Sequence, residues 1–381
     1  MRTYNTLCLV VAHLFLAVLL PPLVVICMVR KLQGKSHYPL SDEVTLAIGR
    51  NLGKLPLVFR RALGQPHSTD NISFSKRLAS DTSAFDRSTI CRRVSRPEFA
   101  GYWVCKGKGK RTLEDGPSDA DITVLWIHGG GYIGGHPLAN AAQMLRITEI
   151  AYERNITVAV FALEYTLAPE AVFPCQINQA MASYLYLLEE MEIGPSQIVI
   201  MGSSAGGHLA LALLSELADA SIPRPGKAML LYPWVSLNNS GVSFNENKYK
   251  DGLSKDDLDR CASSVLGEHG REYFPHVVDF ASSSLPKGLT WSHILPSATW
   301  ITVGSHDLFL SDVKDFVRVA TADGAAVDLD IEEGSPHGWL EYYDARNAKR
   351  YLDSPPSKDV ASIMPGAQLL AAQLCNYCTE K

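Results

Sequence analysis

Short apolar segments alternate with longer helical segments through much of the chain, and this alternation restricts the fold more than any other feature. Buried strands are predicted at six segments: Ile122–Ile127, Thr157–Ala162, Ile198–Met201, Ala228–Leu231, Trp300–Val303 and Val327–Ile331. Helices are predicted between them at Leu138–Arg154, Ile177–Met191, Ala205–Ala218 and Ser311–Ala322. Strands that are apolar on both faces suit a parallel sheet, and repeated strand–helix–strand units favour right-handed crossovers. The sequence therefore predicts a doubly wound α/β sheet.

Two parts of the chain do not follow this alternation. Residues from about 36 to 100 mix polar and apolar side chains and are predicted to form loops and short helices. The stretch Ser236–Pro296 has scattered aromatic residues and is predicted to be an insertion over the sheet edge.

The strongest local signal is a serine at a predicted strand–helix junction. The segment Gly202–Gly207 reads Gly-Ser-Ser-Ala-Gly-Gly and lies directly after the strand predicted at Ile198–Met201. The G-x-S-x-G pattern alone is weak, but a nucleophile elbow also needs a preceding strand and a following helix. Because all three are present, we expect Ser204 to be a nucleophile at the carboxyl edge of the sheet. The alternative is an ordinary glycine-rich turn.

A second glycine-rich loop follows the strand at Ile122–Ile127 and reads His-Gly-Gly-Gly-Tyr from His128. Acyl transfer builds negative charge on a carbonyl oxygen, and glycines let backbone N–H groups approach that charge. We expect the N–H groups of Gly130, Gly131 and Ala205 to be the donors. A phosphate-binding loop is disfavoured, because neither phosphate-loop glycine pattern nor a lysine is present. We expect His128 to shape the loop by hydrogen bonding and not to act as a base.

A serine hydroxyl needs a base, and the base needs a carboxylate that fixes its tautomer. In this arrangement the order along the chain is Ser, Asp, His. Asp307 follows the strand at Trp300–Val303, and His337 follows the strand at Val327–Ile331. Both lie at the edge where open α/β sheets bind ligands, so they are predicted to be the acid and the base.

Other residues near these positions are weaker candidates. Asp312 is the alternative acid, but it falls where a helix should already have begun. His306 adjoins the acid and His208 lies one helical turn after the serine, and either could be structural.

Composition and spacing exclude several other classes of protein. The chain has 381 residues, of which 46% are hydrophobic and 20% charged, which is ordinary globular usage and excludes a disordered or multi-spanning chain. Its 35 basic and 40 acidic residues give a net charge of −5, so nucleic acid is not an expected partner. Cys375 and Cys378 stand alone and there is no H-E-x-x-H pattern, so we expect no zinc or other metal site.

The N-terminal run Leu7–Val29 contains no Asp, Glu, Lys or Arg. At 1.5 Å per residue it reaches about 34 Å, enough to cross a bilayer core. A membrane anchor is preferred over a cleaved signal peptide, because the apolar run is long and Arg30 and Lys31 follow it directly.

The sequence does not decide on which side of the membrane the catalytic domain lies. The basic residues after the anchor favour a cytoplasmic catalytic domain. Three glycosylation sequons, at Asn71, Asn155 and Asn238, favour the lumen, although chance alone supplies about as many. We expect a single-pass membrane protein of the endoplasmic reticulum.

Together these segments resemble the hormone-sensitive-lipase-like branch of the α/β-hydrolase superfamily, which contains serine esterases and lipases. The resemblance covers about residues 95 to 345. It also includes Tyr165–Glu170 with Phe173-Pro174, and Tyr232–Trp234. Arg96–Trp103 is similar to the entry of the hydrolase domain in fungal relatives, among them membrane-anchored steryl acetyl hydrolases. Ser203 departs from the pattern, since this branch usually has Asp there.

The resemblance implies a mostly parallel eight-stranded sheet with helices on both faces, plus a helical cap. The expected organisation is an N-terminal anchor (1–35), a cap-forming region (36–95) and a catalytic domain (96–381) with a cap insertion at about 236–296. The implied activity is a serine carboxylesterase that needs no cofactor. Its expected substrates are short-acyl esters, such as acetates, of a hydrophobic alcohol such as a sterol or terpenoid.

Two other functions remain open in the sequence. The same residues would serve a lactone hydrolase or an acyltransferase. A non-catalytic binding protein on this scaffold is the rival from another class. The plant gibberellin receptors resemble this branch but lack the catalytic histidine, whereas His337 is present here.

Overall fold

The computed structural model describes residues 2–64, 91–105, 120–281, 285–286, 288–354 and 362–379. Eight strands form one sheet in the order β1-β2-β4-β3-β5-β6-β7-β8. β1 pairs antiparallel with β2 and β2 with β4, and the other neighbours are parallel. The strands are β1 (Cys91–Ser95), β2 (Ala100–Cys105), β3 (Ile122–Ile127), β4 (Val158–Glu164), β5 (Ile198–Ser203), β6 (Lys227–Leu231), β7 (Ala298–Gly304) and β8 (Val327–Glu332).

The six predicted strands are confirmed as β3 to β8. β3, β5 and β6 are buried along their whole length, which explains their continuous apolar composition. The expectation of loops and short helices through residue 100 is wrong at its end, where β1 and the start of β2 form an antiparallel pair. β1 reads Cys-Arg-Arg-Val-Ser, and a charged strand at a sheet edge carries little of the apolar signal.

Fourteen α-helices lie in the described ranges, and seven of them pack in two groups that suit the two faces of a doubly wound sheet. α4 packs with α13 and α14, while α5 packs on α6, and α11 contacts both α6 and α12. The helices are α1 (Arg2–Leu32), α2 (Leu40–Leu52), α3 (Leu57–Gly64), α4 (Ala141–Glu153), α5 (Cys175–Leu185), α6 (Ala205–Asp219), α7 (Ser243–Glu246), α8 (Lys255–Leu266), α9 (Gly270–Tyr273), α10 (Pro275–Val278), α11 (Trp291–Ile294), α12 (Leu310–Ala322), α13 (Trp339–Leu352) and α14 (Pro365–Thr379).

The stretch between β6 and β7 forms the short helices α7 to α11 instead of a single crossover helix. Two helices from the N-terminal region pack against it. Arg60 of α3 donates two hydrogen bonds to Asp257 of α8, at 2.8 and 2.7 Å, and Gly49 of α2 lies directly against Gly252. Helices α2 and α3 therefore pack against the inserted stretch.

α1 contains the one candidate membrane span in the described part of the chain, Leu9–Leu32, with a mean hydropathy of 2.7. Its length and composition suffice to cross a bilayer, and a signal sequence has the same properties. One stripe of α1, including Leu23 and Cys27, packs on Ala47 of α2, whereas other apolar side chains such as Val18 and Leu32 are 78% and 89% exposed.

Candidate active site

Ser204 lies in a sharp turn between β5 and α6. Its φ of 56° and ψ of −119° are strained for a residue with a Cβ, which is typical of a nucleophile elbow. The turn needs a glycine two residues later, because a Cβ on Gly206 would lie 2.0 Å from the carbonyl oxygen of Ile127. The chain therefore presents the serine hydroxyl at the carboxyl ends of the central strands.

His337 lies in the loop after β8, and its ring joins the serine to a carboxylate. Nε2 lies 2.9 Å from Oγ of Ser204, and Nδ1 lies 2.9 Å from Oδ2 of Asp307. Asp307, in the loop after β7, is completely buried, and its Oδ1 accepts a hydrogen bond from the N–H of Phe309 at 2.8 Å. The three predicted residues, distant along the chain, thus come within hydrogen-bonding reach of one another.

The environment of His337 favours its protonated form. Burial lowers the pKa of the imidazole, but the charge and hydrogen bond of Asp307 act against it, with a further contribution from Asp251. These negative charges outweigh burial and raise the pKa above its ordinary value of 6.5. The rings of Tyr232 and Phe309 pack edge-on against the imidazole, each at 4.9 Å between centroids, and hold its orientation.

The glycine loop after β3 approaches the serine from the other side. Gly130 and Gly131 have φ of 112° and 62°, and a Cβ on Gly129 would lie 3.1 Å from Cβ of Ser204. Within the described residues, the N–H groups of Gly130, Gly131 and Ala205 donate to no protein acceptor. These donors are therefore free to serve an oxygen beside the serine.

His128 anchors this loop. Its ring stacks on Tyr165 at 4.2 Å, and the hydroxyl of Tyr165 donates to the carbonyl oxygen of His128 at 2.9 Å. Burial lowers the pKa of His128 to about 4, so the ring stays neutral.

The remaining candidates have other partners. Nε2 of His208 donates to the carbonyl oxygen of Val277 at 2.8 Å, so its Nδ1 accepts from Tyr132 at 2.7 Å. Nδ1 of His306 pairs with the hydroxyl of Tyr38 at 2.7 Å.

Asp312, the alternative acid, lies on α12. It makes no hydrogen bond to His337 among the described residues, and burial raises its pKa to about 7.

Two buried carboxyl groups near the triad residues were not found by sequence reasoning. Burial raises the pKa of Glu341 on α13 to about 7, against a smaller opposing effect of the Ser203 side chain. Asp251 lies beneath the loops of Asp307 and His337 and accepts hydrogen bonds from both. No motif marks either residue, and only the packing of α13 and of the inserted stretch brings them to the site.

The strained serine, the imidazole and the buried carboxylate on a mostly parallel sheet define a serine hydrolase of the α/β class. Comparisons with known proteins agree. Residues 124–341 match the family described as the alpha/beta hydrolase fold. The chain belongs to this family. Together with the two esterase relatives described next, the match makes it a serine ester hydrolase.

Two individual relatives are similar to more than half of this chain. An acetyl-hydrolase of Streptomyces hygroscopicus is 31% identical over 223 residues, which cover 58% of this chain and 69% of the relative. Carboxylesterase NlhH of Mycobacterium tuberculosis is 27% identical over 227 residues, covering 58% of this chain and 66% of that protein.

Solved structures are similar in fold. An esterase from the bacterial hormone-sensitive lipase family has a TM-score of 0.60 at 24% identity, covering 87% of this chain and 98% of its own. A hormone-sensitive lipase from a metagenome library has a TM-score of 0.60 at 22% identity, covering 86% and 97%. These likenesses establish the fold.

Proposed function

We propose that this protein is a carboxylesterase in which Ser204 is the nucleophile, His337 the general base and Asp307 the orienting acid. The observation that carries the proposal is the continuous line of hydrogen bonds from the serine hydroxyl through the imidazole to the buried carboxylate. A lone serine could not do this chemistry, because its hydroxyl is a weak nucleophile without a base.

The first half of the reaction follows from the directions of these bonds. Asp307 accepts from Nδ1–H of His337, which leaves Nε2 with a free lone pair facing Oγ of Ser204. As Oγ attacks the ester carbonyl, Nε2 takes its proton, and the C–O bond to the alcohol breaks as the imidazolium returns that proton. The products of this half are a free alcohol and an acyl group on the serine.

The tetrahedral intermediate places a negative charge on the former carbonyl oxygen. We assign its stabilisation to the N–H groups of Gly130, Gly131 and Ala205, which have no protein acceptor among the described residues. Water activated by His337 then attacks the acyl-enzyme and releases the acid.

We further propose that the substrates are acetates or other short-acyl esters of an apolar alcohol, such as a sterol or terpenoid. The name of the Streptomyces relative supports a short acyl group. The similarity of Arg96–Trp103 to fungal steryl acetyl hydrolases supports the apolar alcohol.

The apolar face of α1 gives a reason why such a substrate would reach the enzyme. Esters of sterols partition into bilayers, and α1 packs on α2, which in turn contacts the stretch that carries Asp251. We propose that α1 is a single membrane anchor in the endoplasmic reticulum, that residues 36–95 and about 236–296 form the cap, and that the catalytic domain is 96–381.

Glycosylation would fix the side of the membrane. Asn155 and Asn238 are exposed, whereas Asn71 lies outside the described residues. Loss of mass on endoglycosidase treatment of the cellular protein would place the domain in the lumen.

A substrate panel tests the proposal. Full-length protein in detergent micelles is given p-nitrophenyl acetate, butyrate and octanoate, and separately sterol acetates in mixed micelles. We expect the acetate to be the best of the three acyl lengths and the sterol acetates to be cleaved. Cleavage of water-soluble acetates alone would contradict the apolar alcohol, and a preference for octanoate would contradict the short acyl group.

A further inference from the structure

Asp251 is a completely buried carboxylate between α7 and α8, and the reaction described above does not use it. Its Oδ2 accepts a hydrogen bond from the N–H of Leu308 at 2.7 Å, and its Oδ1 accepts from the N–H of His337 at 3.3 Å. Leu308 follows Asp307 directly in the chain. One carboxylate therefore ties the loop of the acid to the loop of the base.

The other contacts of this carboxylate suit its ionised form. Oδ1 also accepts from the N–H groups of Gly252 and Leu253, at 2.5 and 3.2 Å, so every hydrogen bond the structure gives to its two oxygens comes from an N–H donor. An ionised carboxylate offers acceptors on both oxygens, whereas an amide of the same shape offers them on one only.

Helix α2 of the N-terminal region holds the backbone at Asp251 through hydrogen bonds. Arg50 of α2 donates to the carbonyl oxygens of Asp251 and Tyr249. The charged and titratable groups that face the carboxylate are Asp307 and His337 from the catalytic loops, and Arg50 and Tyr38 from the N-terminal region.

We propose that Asp251 is a positioning residue of the hydrolysis. Its carboxylate fixes the backbones of Leu308 and His337 relative to each other, and its negative charge stabilises the imidazolium. This inference rests on the proposed roles of Ser204, His337 and Asp307. Asp251 acts through His337 and does not touch the ester. Because it contacts the loops that carry the acid and the base, the turnover rate should depend on it more than substrate binding does.

The charge of Asp251 provides a signature that a purely structural role would lack. The pKa of Asp251 is raised by burial first and by Asp307 second, and is lowered by His337, so the two groups influence each other. Asp251 in turn contributes to the raised pKa of His337, after the larger effects of burial and Asp307. Removing the charge should therefore move the acid limb of the activity profile to lower pH.

The test uses full-length protein in detergent and p-nitrophenyl acetate. In Asp251→Asn the amide must place an N–H₂ donor against one of the backbone N–H groups. We expect kcat to fall about 10- to 100-fold, the range found when groups that orient metal ligands are removed, with KM changed less than about threefold. The acid limb of kcat/KM should also shift below that of the wild type.

Asp312→Asn is the matched control, since it neutralises another buried carboxyl, on α12, that makes no hydrogen bond to either catalytic loop among the described residues. We expect its acid limb to stay in place. A folded Asp251→Asn enzyme with wild-type kcat, or with an acid limb that does not move, would overturn the proposal.

A second variant keeps the test open if Asp251→Asn does not fold. Asp251→Glu keeps the charge but displaces the oxygens, so kcat should fall while the acid limb stays near the wild-type pH; unchanged kcat would overturn the proposal. Ser204→Ala separates the two levels of inference. If it is active, the proposed function fails; if it is inactive while Asp251→Asn is unaffected, only the role of Asp251 fails.

Discussion

At the residue scale, the assignment of the acid is the choice that sequence reasoning left most open. Asp307 contacts His337 through Oδ2, whereas Asp312 lies on α12. Asp307→Asn should therefore reduce kcat about 1,000- to 10,000-fold, because the amide no longer selects the tautomer that leaves Nε2 free. Asp312→Asn should keep kcat close to that of the wild type. Steady-state kinetics of the two folded variants checks this, and the reverse ranking would show that the acid is misassigned.

The raised pKa of His337 can be tested through the pH dependence of the activity. Its pKa is raised above 6.5, because Asp307 and Asp251 together outweigh the effect of burial. Only the neutral imidazole can accept the serine proton, so activity is lost as the pH falls through this raised pKa. A pH profile of kcat/KM for p-nitrophenyl acetate should show an acid limb with an apparent pKa above 6.5. A limb clearly below that value would contradict the ion pair.

Residues carried by motifs could be located from the sequence, and residues brought in by packing could not. Ser204 and the glycine loop have local patterns that reflect backbone geometry, and Asp307 and His337 follow predicted strands. Asp251 has no such pattern, since it belongs to an irregular stretch and reaches the site only because that stretch packs against the loops after β7 and β8.

Among the structural elements, the glycine loop after β3 tolerates side chains least, because of its backbone conformation and close packing. Gly130 has a φ of 112°, and a Cβ there would lie 2.4 Å from the carbonyl oxygen of Gly134. We expect Gly130→Ala to displace the loop and to reduce kcat about 100- to 1,000-fold, as for loss of an oxyanion donor. Gly134→Ala is the matched control, because the nearest atom to its added Cβ lies 3.8 Å away. Equal kcat values for the two variants would show that the loop does not hold the donors.

Some of these elements could be predicted from the sequence and others could not. The central strands are buried on both faces, so their composition alone identifies them. β1 is short and charged, and it pairs with β2 through backbone hydrogen bonds. Such bonds do not require a particular side-chain pattern, so the sequence does not reveal the strand. The predicted helix Ile177–Met191 ends as an α-helix at Leu185 and continues as a π-helical turn, Tyr186–Glu190, which periodicity does not distinguish.

At the scale of the whole molecule, the N-terminal region is connected to the catalytic loops. Tyr38 pairs with His306 beside the acid, Arg50 bonds the backbone of Asp251, and Arg61 bonds the carbonyl oxygen of Ile133 in the glycine loop at 2.8 Å. Residues 36–64 thus support both sides of the site.

Two truncations separate anchoring from this support. Deletion of residues 1–35 should abolish sedimentation with membranes and keep hydrolysis of p-nitrophenyl acetate, because the catalytic loops retain their contacts. Deletion of residues 1–64 also removes α2 and α3 and should cost most of the activity. Full activity of the longer deletion would show that the N-terminal region does not stabilise the site.

The proposed activity depends on one hydroxyl, that of Ser204, which His337 and Asp307 make reactive. The most direct measurement is labelling of the full-length protein with a fluorophosphonate probe, followed by peptide mass spectrometry. We expect a single adduct on Ser204, absent in a folded Ser204→Ala variant whose hydrolysis of p-nitrophenyl acetate has fallen by several orders of magnitude. An adduct on another residue, or full activity in that variant, would contradict the account.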